Sequence, residues 1–163
     1  VDQKLLRGAN NIVGAWGHMP LAWPVPHELE GRDCWSGRSG CLEGFLSLGV
    51  LENEYFKITQ TKLDIHAIAN AADANDLVAS SVLQMLDDRI GRTTAAIINV
   101  FDPNVTILGG RVADLNRLYL NVPRKWPGYL SIERNKTQLL KASHATFAVA
   151  KRAAWLAAPQ SAS

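Results

Sequence analysis

The 163-residue sequence has few of the features that mark secreted, membrane-spanning or nucleic-acid-binding proteins. It contains two cysteines, too few for the disulfide framework of a small secreted domain. Its longest apolar stretch, residues 93–101, is too short to span a bilayer, and no charged-then-apolar leader begins the sequence. The 17 basic residues are scattered and nearly balanced by 15 acidic ones, so no basic stripe indicates nucleic-acid binding. We therefore expect a cytoplasmic protein whose partners include neither a membrane nor a nucleic acid.

Hydrophobic residues are abundant: they make up 47% of the sequence, whereas charged residues make up 20%. A chain of this size and composition can form one globular domain or one lobe of a larger one. The first residue is Val1, and residues 1–8 have the pattern of a strand, a turn and a second strand. Because a strand at the first residue usually needs a neighbour to pair with, we expect the sequence to be an excerpt of a longer chain.

Two regions of different character follow one another. Residues 1–40 are rich in Gly, Pro, Trp and Asn, which predicts short strands and long loops. From residue 41 the spacing predicts helices over about 41–57, 63–72, 74–103, 113–122 and 146–158, and strands over 104–110 and 137–143. Strands that alternate with helices indicate an α/β fold in which long helices pack on a sheet, and the strand 104–110 is expected to be buried.

Polar residues support the limits of the longest predicted helix. Asp73 and Asp76 lie where caps and first-turn acids belong, and Asp102 followed by Pro103 ends the run. One apolar stripe is expected to face the core; its members are Leu77, Val78, Val82, Met85, Leu86 and Ile90.

The segment 17–44 holds both cysteines and two of the four histidines. Cys34 and Cys41 lie seven residues apart in a turn-rich loop, a spacing more typical of metal ligands than of a disulfide scaffold. From the residues alone, three interpretations stay open: a metal clasp, a Cys34–Cys41 disulfide, or a loop with two buried thiols.

Three segments occur in a characteristic order: "RGANNIVGAWGH" at 7–18, "CWSGRSGCLEGFLS" at 34–47 and "FDPNVTILGG" at 101–110. With the closing "SHATFAVAKRAAWLA", they resemble the ROK family of sugar kinases and sugar-responsive repressors, most closely its fructokinase branch. The resemblance covers the whole chain but only the C-terminal half of such a kinase. It implies the C-terminal lobe of the actin-like (ribonuclease-H-like) ATPase fold. Residues 1–163 would form this single lobe, with a clasp-bearing loop region at 1–40, a helix-rich region at 41–157 and a tail at 158–163.

The resemblance implies a structural zinc clasp. In the family, the histidine of G-E-x-G-H joins three cysteines of C-x-C-G-x-x-G-C-x-E around zinc. His18, Cys34 and Cys41 occupy three of these positions, whereas the middle cysteine is replaced by Ser36. A neutral hydroxyl is a much poorer zinc ligand than a thiolate, so the fourth position is left to water, to His27 or to nothing.

The sugar-binding residues implied by the resemblance are only partly present. His18 and Glu43 match the imidazole and one carboxylate that contact the sugar hydroxyls, but Ala15 replaces the second carboxylate. Its loss removes charge-assisted hydrogen bonds of about 1.5–3 kcal/mol each. Glu43 also has a purely structural interpretation, as an acid in the first turn of its helix that favours the helix dipole.

On the nucleotide side, Gly109 and Gly110 match the turn that approaches the nucleotide, but Arg111 replaces the third glycine of the family. An arginine can pair with phosphates, yet it adds bulk where close approach is required. The closing helix, which begins with glycines and serines in the family, has residues 145–149 as Ala-Thr-Phe-Ala-Val. An ordinary strand-to-helix turn is the alternative interpretation of the glycine pair.

A complete enzyme of this kind transfers the γ-phosphate of ATP to a hexose hydroxyl with Mg²⁺ and forms homodimers. Its catalytic aspartate and first phosphate loop belong to the N-terminal half, so we assign no catalytic residue here and expect no kinase activity from the isolated chain. Two alternatives are a non-catalytic sugar-sensing or dimerisation module and one half of a split kinase.

Overall fold

A computed structural model describes residues 6–143 of the chain. Its helices are α1 (Glu43–Leu46), α2 (Leu48–Thr59), α3 (Ile65–Asp73), α4 (Leu77–Phe101) and α5 (Arg117–Lys125), and its strands are β1 (Val105–Leu108) and β2 (Gln138–Lys141). Short 3₁₀ turns lie at Trp16–His18, Pro26–Glu28, Arg111–Asp114 and Trp126–Gly128. The predicted closing helix over 146–158 and the start of the predicted opening strand lie outside the described residues. Within residues 6–143, no helix combines the length and apolar character needed to cross a bilayer.

Helix α4 follows its sequence signals closely. The Asp76 carboxylate accepts hydrogen bonds from the backbone N–H groups of Val78 and Ala79 and so caps the first turn. Asp102, with φ 43°, ends the helix in the left-handed conformation, and Pro103 prevents its continuation. Asp73 caps nothing here, contrary to expectation, because it is the last residue of α3.

The single helix predicted over 41–57 is instead two helices. Ser47, with ψ 142°, is extended and separates the one-turn α1 from α2. Gly44 and Gly49 flank this break, and glycine disfavours the helix interior through its backbone entropy. The second helix ends at Gln60, which has φ 57°.

The core surrounds α4, which packs against α2, α3 and α5. Helix α5 crosses α4 closely, since a Cβ added to Gly91 would lie 2.7 Å from the Cβ of Lys125. Most of the core side chains are aliphatic; the fully enclosed ones include Leu51, Ile65, Ile68, Val82, Leu83, Leu86, Leu118 and Val122. Of the predicted stripe on α4, Val82, Leu86 and Ile90 are buried, whereas Leu77, at the first position of the helix, is 81% exposed and does not face the core as expected.

The two strands pair in parallel, with Val105 opposite Gln138 and Leu108 opposite Lys141. Helix α5 lies within the connection between them, as in a β-α-β unit. Among the described residues nothing covers β1 fully, and Ile107 is 63% exposed. The expectation of a buried strand is therefore not met within residues 6–143.

The expected short strands are also not found in the described part of the loop region, residues 6–40. Only isolated antiparallel bridges form there, Pro20 with Cys41 and Asp33 with Ser39. Prolines at 20, 24 and 26 remove ladder donors, and Gly31 and Gly37 adopt positive φ, so a continuous ladder does not form.

Candidate functional site

Three predicted metal ligands meet in space. The ligand atoms of His18, Cys34 and Cys41 all lie within 4.8 Å of one another. Cys34 Sγ is 3.6 Å from His18 Nδ1, and the Cys41 thiol donates to the His18 carbonyl at 3.7 Å. Both cysteines are buried and free, so the disulfide alternative is not realised in this structure. Soft thiolates and an imidazole are the donors that Zn²⁺ prefers, and their convergence fits a tetrahedral ion.

Backbone contacts, rather than a helix, position these ligands. Pro20 bridges to Cys41 and holds that cysteine beside the turn Trp16–His18. Cys34 begins a tight turn in which the Gly37 N–H donates to its carbonyl at 2.9 Å. Gly37 has φ 79°, a conformation that glycine adopts without a steric penalty, so the turn depends on the glycine.

Ser36, which occupies the position of the family's middle cysteine, faces Cys34. Hydrogen bonds from the Ser36 hydroxyl and backbone N–H, joined by His18, outweigh burial and lower the pKa of Cys34 to about 7. The thiolate needed for metal binding is thereby favoured near neutral pH. His27 is exposed in the turn Pro26–Glu28 and does not belong to the ligand cluster.

Glu43 and the glycine pair lie around one cavity of about 520 Å³. Glu43 is the first residue of α1, while Gly109 and Gly110 follow β1 directly. Gly17 also lines the cavity, and a Cβ added there would lie 3.3 Å from Glu43 Oε2. The cavity therefore joins the predicted sugar-side carboxylate to the predicted nucleotide-side turn, whereas His18 is not among its lining residues.

The other two replaced family positions, Ala15 and Arg111, lie apart from each other. Ala15 lines a separate, largely apolar cavity of about 860 Å³, together with Val13, Phe101 and Val105. Arg111 is exposed at the start of a 3₁₀ turn and lines the Glu43 cavity. Gly110, with φ 78°, has open space where a Cβ would be, so its conformation, rather than crowding, requires glycine.

A set of charged residues with a buried centre, here called the ionic cluster, was not predicted from the sequence. Its members are Glu28, Arg32, Glu54, Asp88, Arg89 and Arg92. Arg89 and Arg92 are each 1% exposed although they lie in the middle of α4. Their burial could have been suspected from the sequence, because they lie beside Leu86 and Ile90 on the helix face expected to pack on the core, where apolar residues are usual.

Glu28 is the buried carboxylate of this cluster. Burial alone would raise its pKa, but hydrogen bonds from Arg89, the Val25 N–H and Arg92 outweigh burial and hold the pKa below its ordinary value. The carboxylate is therefore charged in the folded protein at neutral pH, as two adjacent guanidinium groups require.

The fold is that of one lobe of an actin-like ATPase, with helices packed on a small sheet. The structure is similar to that of a ROK hexokinase from Thermus thermophilus, with a TM-score of 0.70 and 26% identity, over 85% of this chain and 45% of the hexokinase. The sequence profile of the ROK family matches residues 1–160. The chain belongs to the ROK family, so the resemblance to that family and the predicted fold class are confirmed.

Relatives in this family include both kinases and repressors. The chain is 28% identical over 162 residues to the N-acetyl-D-glucosamine kinase of Vibrio vulnificus (strain YJ016), covering 95% of this chain and 52% of the kinase. It is 27% identical over 126 residues to the DNA-binding transcriptional dual regulator NagC of Escherichia coli (strain K12), covering 72% and 30%. The chain spans about half the length of the curated kinases it matches.

Proposed function

We propose that this chain is the C-terminal half of an ATP-dependent hexose kinase of the fructokinase-like branch. The observation that carries the proposal is the shared cavity in which Glu43 faces the turn formed by Gly109 and Gly110. Glu43 would accept hydrogen bonds from sugar hydroxyls, and the glycine turn would let backbone approach the nucleotide. In the complete enzyme, Mg²⁺ would neutralise the phosphates during transfer to the sugar.

The isolated chain is proposed to be inactive. None of its residues is assigned as the general base that takes the proton from the sugar hydroxyl, and phosphoryl transfer depends on that positioned group. Ala15 removes a further carboxylate from the family pattern. Sugar affinity would then depend on Glu43, with His18 as the second proposed contact.

The test is a coupled assay for ADP with fructose, glucose, mannose and N-acetylglucosamine in turn. We expect no turnover by the chain alone and weak fructose binding by calorimetry that Glu43→Gln abolishes. The matched control is Glu52→Gln, a partly buried glutamate on α2 that does not line the cavity. Turnover by the isolated chain would refute the inactivity, and unchanged binding in Glu43→Gln would refute the sugar role of Glu43.

A sugar-sensing or dimerisation module is the second candidate, favoured by the transcriptional regulator among the relatives. Thermal stabilisation by hexoses but not by ATP, together with a homodimer in sedimentation, would favour this candidate. A split kinase is distinguished by recovery of turnover when an N-terminal half is added. Turnover in that mixture would exclude a purely non-catalytic role.

His18, Cys34 and Cys41 are proposed to hold one zinc ion, with water in the fourth position. The convergence of their donor atoms supports this, and two free thiols also fit the expected cytoplasmic location, where thiols remain reduced. Metal analysis should find about one zinc per chain, lost in Cys41→Ser and retained in His27→Ala. Loss of zinc in His27→Ala would instead assign the fourth ligand to His27.

A further inference from the structure

The segment 19–41, here called the cysteine loop, runs from the turn Trp16–His18 to the residue before Leu42, just ahead of α1, and contains Cys34 and Cys41. It contains one 3₁₀ turn and no helix or strand, and its few buried apolar side chains give it little core of its own. We propose that the ionic cluster, and not a bound metal, holds the cysteine loop on α2 and α4, with Glu28 as the positioning residue for the clasp.

Glu28 connects the middle of the cysteine loop to α4. Its Oε1 accepts a hydrogen bond from Arg89 Nε at 2.8 Å, and its Oε2 accepts one from Arg92 Nη2 at 2.9 Å. Oε2 also accepts from the Val25 N–H at 3.1 Å, which fixes the side chain to its own turn. Glu28 is 5% exposed, so solvent screens these contacts very little.

The cluster also contacts the loop at two further places. Near its start, Arg92 Nη1 donates to the carbonyls of Ala22 and Trp23 at 3.1 and 2.5 Å. Two residues before Cys34, Arg32 forms an ion pair with Glu54 of α2. The loop is thus attached to the helices near its start, at its middle and close to a metal ligand.

Phe45 extends this attachment to the second cysteine. Two guanidinium groups lie over its ring, that of Arg32 at 5.0 Å and that of Arg89 at 5.3 Å from the ring centroid. Phe45 also packs with Leu21 and Leu42, the neighbour of Cys41, in a small buried apolar cluster. The cation–π contact of the buried Arg89 adds to its ion pairs, so Phe45 connects the ionic cluster to the end of the loop.

The replacement of the middle cysteine by Ser36 gives this arrangement its significance. A structural zinc with four protein ligands supplies folding free energy to the loop that contains them. With three ligands the metal supplies less, whereas removal of Glu28 would leave two buried guanidinium groups without their shared carboxylate. The geometry therefore predicts a cysteine loop that is ordered before metal binds and that prepares the ligand positions.

Hydrogen exchange of the whole chain in EDTA tests this directly. The reporters are amides that donate within the loop, those of Leu21, Glu28, Cys34 and Gly40. We expect them to stay protected in the wild type and to exchange at least tenfold faster in Glu28→Gln, with little change for amides in α4. Glu30→Gln is the matched control, because it removes the same charge from an exposed position two residues away. Cys34→Ser should lose zinc yet keep the protection.

Zinc affinity, measured by chelator competition, provides a readout specific to positioning. Glu28→Gln keeps all three ligands, and we expect its zinc affinity to fall at least tenfold while that of Glu30→Gln does not change. If Glu28→Gln fails to fold, Arg32→Gln removes one attachment whose side chain is 35% exposed, and the same local loss is expected. The proposal is overturned if EDTA alone removes protection from the wild-type loop, or if the folded variant exchanges like wild type. Absence of zinc from the wild type would refute the metal assignment but leave the exchange test decisive.

Discussion

The helices around α4 and the cysteine loop are stabilised in different ways. The helices bury aliphatic side chains, many of them completely, and their mutual positions follow from apolar surface removed from water. The loop buries a carboxylate, two thiols and few apolar side chains, and it is attached by guanidinium groups that α4 supplies. The helices therefore depend on volume and shape, whereas the loop depends on charge and hydrogen-bond geometry.

The largest effect is expected from a cavity in the helical region. Leu86 is fully buried in the core, and Leu86→Ala should lower the free energy of unfolding by about 2–5 kcal/mol, since the cavity can close only partly. Urea denaturation gives this value. Leu77→Ala is the control, because Leu77 is 81% exposed, and an equal loss in both variants would contradict core packing around α4.

Overpacking between α4 and α5 should have the next largest effect. Gly91→Ala would press a methyl group against the Cβ of Lys125, which cannot swing away, and about 1–3 kcal/mol of stability should be lost. Gly49→Ala, in α2, meets nothing within 4 Å and should instead gain up to about 1 kcal/mol from helix propensity. The midpoint of thermal unfolding is measured for both variants. A higher midpoint for Gly91→Ala would show that α4 and α5 are farther apart than the structure has them.

A polar contact within the helical region should have a smaller effect. Asp76 caps α4 through two backbone N–H groups and also accepts the Tyr55 hydroxyl at 2.7 Å. Asp76→Ala should cost about 0.5–2 kcal/mol in urea denaturation, as for other helix caps. Asp73→Ala, at the exposed end of α3, should cost little. A greater loss for Asp73→Ala would restore the capping role expected from its sequence position.

The smallest expected effect on stability lies in the cysteine loop, where the change is measured as the reactivity of the Cys34 thiol. Because the pKa of Cys34 is lowered to about 7, the thiolate should form as pH rises through about 7, and alkylation in EDTA should rise with it. Ser36→Ala removes the main hydroxyl donor and should move this midpoint upward. Mass spectrometry locates the modified cysteine, and Ser39→Ala, three residues away in the same loop, is the control. An unchanged midpoint in Ser36→Ala would show that Ser36 does not stabilise the thiolate.

Sequence patterns predicted the helical region better than the loop. The limits of α4 followed from Asp76, Asp102 and Pro103, since capping and proline effects act within a few residues. The break at Ser47 was missed because apolar spacing continues across it, and only the nearby glycines indicated weak helix propensity. No strand forms in residues 6–40 because prolines lack the N–H that a β-ladder needs and several glycines adopt positive φ. Whether such residues interrupt a strand depends on which segment would pair with it, and the sequence pattern does not show that.

One part of the candidate site was predicted from the sequence and another part was not. His18, Cys34 and Cys41 were candidate ligands because of the resemblance to the ROK family, and the structure brings their donor atoms together. The ionic cluster was missed because Glu28 lies 61 and 64 residues from its two arginine partners. Residue spacing within a helix or loop does not predict an ion pair between residues so far apart in the chain. Without a known partner, charged residues such as these are expected to be exposed.

The sequence by itself determined the family and most of the helices after residue 41, and it named His18, Cys34 and Cys41 as candidate ligands, because these depend on local propensity and short motifs. Only the tertiary structure decided that Glu43 and the glycine turn share a cavity and that the cysteine loop is attached through buried charge. The physical reason is that both arrangements join segments far apart in the chain. Their contacts exist only after the helices have packed around α4 and removed those groups from water.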